Sequence, residues 1–145
     1  FEEMLPDYDL IDEFLGDKNE FEGYKLSQIL KTINDRITVL INRDHQIGHS
    51  YFLKLRGSKN IKEDLKTVFT KNIIPLLQEY FFNDYVKIAM VIGEGFLEKD
   101  KYSNVKFAQN LGDYDSDYDL NTIYEIKKDI DIDEAIKILM GNTDG

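Results

Sequence analysis

Apolar residues recur every three or four positions through most of residues 8–92, which is the spacing of a helix that buries one face. Leu26, Ile29, Leu30, Ile33, Ile37, Leu40 and Ile41 hold one face from Tyr24 to about Asn42 and predict a long amphipathic helix. Ahead of it, Leu10, Ile11, Phe14 and Leu15 predict a shorter helix entered through Pro6, with Asp7 or Asp9 as cap and Gly16 as stop. Residues 16–23 read as a loop anchored by Phe21. After Asn42 the pattern breaks into a polar run, Arg43-Asp44-His45, and Gly48-His49-Ser50 then opens a short helix to Leu55. Arg56–Asn60 reads as a loop whose last residue caps the next helix. That helix carries Leu65, Val68, Phe69, Ile73, Ile74, Leu76, Leu77, Tyr80 and Phe81 on one face. Pro75 lies inside it, lacks a donor and crowds the carbonyl of Lys71, so a kink or break is expected there. Asn83 or Asp84 caps a further helix over Tyr85–Ile92, ended by Gly93.

Beyond Gly93 the pattern changes. Phe96-Leu97, Asn104–Ala108 and Thr122–Ile126 have strand-like patterning, and Asp133 is placed to cap a last helix over Glu134–Met140. The reading is a mainly α fold of four or five helices with a small C-terminal β-hairpin and a terminal helix. It forms a single domain over 1–145, divided into a helical body (1–92) and an appendage (93–145).

Composition narrows the function classes. A chain of 145 residues that is 42% hydrophobic and 12% aromatic can bury a core of its own. With no cysteine there is neither a disulfide framework nor a thiolate zinc site. No apolar run approaches the roughly 18 residues of a membrane span, and the acidic start lacks the basic region of a signal peptide. A cytoplasmic protein is expected. The net charge of −10 is uneven, with −8 over residues 1–22, +5 over 23–112 and −7 over 113–145. A mildly basic middle between acidic ends fits a solvated helix surface better than an autonomous nucleic-acid binder.

Candidate chemistry is concentrated in Arg43, Asp44, His45, Gly48, His49 and Ser50, between two apolar segments. His45 and His49 have the i, i+4 spacing of paired metal ligands, but no glutamate follows His45 and Gly48 interrupts the helix, so no metal site is assigned. One histidine is expected to cap a helix or bond the backbone, the other to meet a ligand or partner. The alternating Asp113, Asp115, Asp117 and Asp119 resemble a calcium loop, yet its sixth and twelfth positions would be Tyr118 and Tyr124. There is no phosphate-binding GxxxxGK[ST] loop, no GxGxxG and no GxSxG elbow. No catalytic residue is assigned in this chain.

Three stretches carry a resemblance: Arg43-Asp44-His45, Ile47 through Phe52, and Ile73 through Phe81. In type and order they look very like the C-terminal region of McrB-type AAA+ proteins, the NTP-driven subunits of modification-dependent (5-methylcytosine) restriction systems. The resemblance runs from about Phe1 to Ile92 and is looser afterwards. In that family a P-loop, a Walker B strand, an asparagine sensor and an arginine finger lie upstream, so this chain resembles an excised helical lid. The resemblance implies GTP or ATP with Mg in the intact protein, and none held tightly by this fragment. It implies partners in the upstream AAA+ core of the same protein, in neighbouring subunits of a ring, usually hexameric, and in a McrC-like nuclease subunit, with DNA reached only through other domains.

AAA+ lids carry a sensor near the start of their third helix, which here resembles Gly48-His49-Ser50. Under that reading His49 and Ser50 face nucleotide and Arg43 contacts phosphate or a neighbouring subunit. Under the other, the histidines pin a loop between two helices. Two further readings stay open for the whole chain: a free-standing helical interaction domain using Tyr80-Phe81-Phe82, without catalysis, and a small DNA-binding domain using Arg56–Asn60.

Overall fold

The computed structural model describes residues 5–16, 19–99, 108–109 and 124–141. Helix α1 (Tyr8–Leu15) begins where the Asp7 carboxylate accepts the Leu10 N–H, and ends at Gly16 with φ 57°. Such a cap stabilises a helix by about 1 kcal/mol. Ile11 and Leu15 of α1 are buried, whereas Phe14, expected in the same stripe, is 38% exposed and lies under the Arg56 guanidinium.

The loop expected over residues 16–23 contains a hairpin. Glu20–Phe21 (β1) and Tyr24–Lys25 (β2) pair antiparallel across Glu22 and Gly23, both at positive φ. That turn matches the strand twist, and it holds Phe21 in the core. The long helix α2 therefore runs over Leu26–Leu40, not from Tyr24 to Asn42. Leu26, Ile29, Leu30, Ile33 and Ile37 are fully buried. Ser27 Oγ and Asn19 Nδ2 both donate to Asp12 Oδ1, tying α1, the hairpin and α2 together.

Arg43–His45 forms a single 3₁₀ turn, and α3 (Ser50–Leu53) is shorter than expected. Asn60 caps α4 (Ile61–Val68) by accepting the Glu63 N–H. Pro75 does not break the rod. A π turn over Phe69–Ile73 intervenes, with Ile74 N–H bonded to Phe69 C=O, and α5 (Ile74–Tyr80) continues with helical dihedrals throughout. The wider turn removes the i−4 carbonyl that a proline ring would strike. After α5, Phe82 and Asn83 take positive φ, 51° and 61°, before Asp84 caps α6 (Tyr85–Ile92).

Gly93 ends α6 with φ 86°, and a 3₁₀ turn over Glu94–Phe96 leads into Leu97–Lys99 (β3). Strand β3 pairs antiparallel with Tyr124–Ile126 (β4), Leu97 opposite Ile126. The strand-like patterning at 104–107 and 122–123 and the Asp113–Asp119 alternation lie outside the described residues. The last helix, α7 (Ile132–Met140), is capped by Asp131 and not by Asp133. Starting there places Ile132, fully buried, on the inner face, and leaves Asp133 in the first turn to pair with Lys62 at 3.0 Å.

Helix α7 shares one hydrophobic core with α1, α2 and the α4–α5 rod. Phe69 of the π turn stacks on Phe96 at 4.7 Å, and Ala135 of α7 lies against Gly95. A Cβ on Gly95 would fall 2.5 Å from Ala135 Cα, a backbone atom that cannot swing aside. Gly95→Ala should therefore destabilise the fold by about 1–3 kcal/mol, seen as an earlier urea midpoint with an unchanged slope.

Candidate functional site

Residues 42–50 cross from the end of α2 to the start of α3, and they are held at three points. Asn42 caps the 3₁₀ turn, its carboxamide oxygen accepting the His45 N–H at 3.2 Å and lying 2.7 Å from His45 Nδ1. The His45 ring meets Tyr80 of α5 edge-on, with centroids 5.0 Å apart. Gln46 Nε2 donates to Thr38 Oγ1, whose hydroxyl in turn donates to Asn34 C=O.

The second point is Asn34. Fully buried within α2, it accepts the Ile47 N–H at 2.6 Å and donates to the Ile47 C=O at 2.9 Å. Its amide also donates to the Tyr8 hydroxyl of α1 at 3.2 Å. One carboxamide thus replaces the strand partner that a buried, non-helical Ile47 would otherwise lack. Burial raises the Tyr8 hydroxyl above its ordinary pKa of 10.0, with the Asn34 bond opposing the shift.

The third point is His49. It is 8% exposed, and its Nδ1 accepts the backbone N–H of Asp7 at 2.9 Å. An accepting Nδ1 requires the neutral tautomer that carries its proton on Nε2. Asp7 caps α1 through its side chain and is fastened to the loop through its backbone, so His49 fixes where α1 begins.

The six residues singled out from sequence therefore occupy one loop but do not share one environment. Arg43, Asp44 and Ser50 are exposed, His45 and Gly48 are half-buried, and His49 faces inward. Ser50 stands at the first turn of α3, where the Phe52 and Leu53 N–H groups both donate to the His49 carbonyl. Among the described residues no group of three or more His, Cys, Asp or Glu side chains is placed to hold a metal. None of the six forms a nucleophile–base pair.

Sequence reasoning missed Asn34. The signal was present: Asn34 lies four residues after Leu30 and three before Ile37, so a carboxamide interrupts the inner face of α2. Of the Tyr80-Phe81-Phe82 surface, only Phe82 is widely open, at 92% exposure; Phe81 is buried and Tyr80 half-buried.

Residues 25–89 match the family model described as McrB, alpha-helical lid domain. This stretch, from the end of the first hairpin into α6, is a McrB-type helical lid region and contains the whole 42–50 loop. No curated protein matches the chain.

Two measurements check the loop. Asn34→Leu strands both backbone groups of Ile47, and urea unfolding should show a loss of about 2–4 kcal/mol. Tyr8→Phe should cost about 0.5–1.5 kcal/mol near neutral pH. Because the folded pKa of Tyr8 is raised, its contribution is complete below pH 10.0 and is lost as pH rises through the folded value. The penalty of Tyr8→Phe should accordingly shrink in alkali.

Proposed function

We propose that this chain is the helical lid of a McrB-like AAA+ motor that hydrolyses GTP or ATP with Mg and drives a separate nuclease subunit in DNA restriction. The observation that carries the reading is the lid match over residues 25–89. A lid of this type implies an AAA+ core in the same protein, where nucleotide and Mg would be held. The motor would act as a ring, with a McrC-like nuclease as partner and DNA contacted through other domains. No helix among the described residues is long and apolar enough to cross a membrane.

The loop geometry supports a division of labour within the lid. Ser50 and Arg43 are exposed, with a hydroxyl and a guanidinium suited to phosphate oxygens. His49 faces the Asp7 backbone and keeps α3 in register with α1. Arg43 and Ser50 are therefore the sensing or subunit-interface residues, and His49 positions them.

In the intact motor, Arg43→Ala or Ser50→Ala should lower NTP turnover about tenfold, equivalent to roughly 1.4 kcal/mol of barrier, with the melting temperature unchanged. His49→Ala should lower the melting temperature as well. Unchanged turnover in both outward-facing variants would refute nucleotide sensing. The interaction-module reading, with exposed Phe82 as its contact, would then lead.

A further inference from the structure

On the side of α2 away from the Asn34 loop, exposed apolar side chains gather around one cation. Val39 is 85% exposed, Met90 57%, Val86 50% and Ile138 41%. Two open clefts of about 280 and 660 Å³ run between them, and both are lined by Arg36 and Met90. Isolated exposed aliphatics are ordinary, whereas a contiguous group of them marks a contact surface.

The charges on this face define what covers it. Arg36 is half-buried, and its Nη1 donates to the Val91 carbonyl at the end of α6, 2.7 Å away. Among the described residues no carboxylate lies within ion-pair reach of it. Desolvation lowers its pKa, the mark of a cation losing water without gaining an anion. Asp35 lines the smaller cleft beside it and, among the described residues, is ion-paired with Lys31 on the exposed surface of the same helix, while Glu94 lines the larger cleft. A wholly acidic partner would be repelled by Asp35 and a wholly basic one by Arg36. A second copy meets both demands, since the patch carries the Arg36 cation, the carboxylates of Asp35 and Glu94 and an apolar centre side by side.

We propose that this face of α2 and α6 is a twofold contact between two copies of the chain, with Asp35 of each opposite Arg36 of the other and Val39 and Met90 packed between them. Such an isologous contact closes at two copies. It is distinct from the head-to-tail contacts that build a ring, and it does not depend on the lid reading.

Sedimentation of this chain over increasing concentration tests the contact. A monomer–dimer equilibrium is expected, weakened about tenfold or more by Val39→Glu, a substitution at a position too exposed to disturb folding. Asp35→Lys alone and Arg36→Glu alone should each weaken self-association, because each places like charges opposite one another. An equimolar mixture of the two should restore it, since every facing pair is then opposite in sign. Circular dichroism establishes that each variant is folded; should Arg36→Glu unfold, Val39→Glu decides alone. A chain that stays monomeric, dimerisation indifferent to Val39→Glu, or a mixture of folded variants that fails to recover would each overturn the proposal.

Discussion

The pairing of the Asn34 carboxamide with both backbone groups of Ile47 is the contact on which the arrangement of the first three helices depends. Ile47 is buried in the core, yet it lies where neither helix nor strand can satisfy its N–H and C=O. An unpaired buried amide costs as much as a lost hydrogen bond, so a side chain has to supply the missing partner. Asparagine offers a donor and an acceptor in one plane, which few other side chains do. Its remaining N–H reaches Tyr8, and the position of α1 is thereby coupled to the same residue.

His49 extends this coupling. Its bond to Asp7 N–H joins the start of α1 to the start of α3, so the outward side chains Arg43 and Ser50 are carried on a loop anchored at both ends. The same loop contains no pair of groups placed to transfer a proton or attack a substrate.

The later half of the chain is shaped by two backbone accommodations. The π turn lets a proline stand inside a continuous rod and swings Phe69 onto Phe96. Gly95 then lets α7 approach until Ala135 rests on the chain itself. Together they bring the last helix into the core built by the first four helical segments. The Arg36 side of α2 stays open among the described residues, and there the half-buried guanidinium donates to the Val91 carbonyl.

Periodicity and capping residues by themselves determined the helical elements, because a 3.6-residue apolar stripe and an Asp or Asn at its head act through neighbours in sequence. Asp7, Asn60 and Asp84 cap where expected, and Gly16 and Gly93 stop where expected. The polar run at 43–50 was legible as a distinct segment for the same reason. Which of its side chains turn inward was not, since that depends on Asn34 and Asp7, separated by 13 and 42 residues from their partners. Asp131 displaced Asp133 as the last cap because burial of Ile132 outweighed local preference. Proline's rule foretold trouble at residue 75, but only the packing of Phe69 against Phe96 decided for a π turn over a break. Local chemistry writes the elements; contacts distant in sequence decide which polar groups are used up in holding them together and which are left to meet a partner.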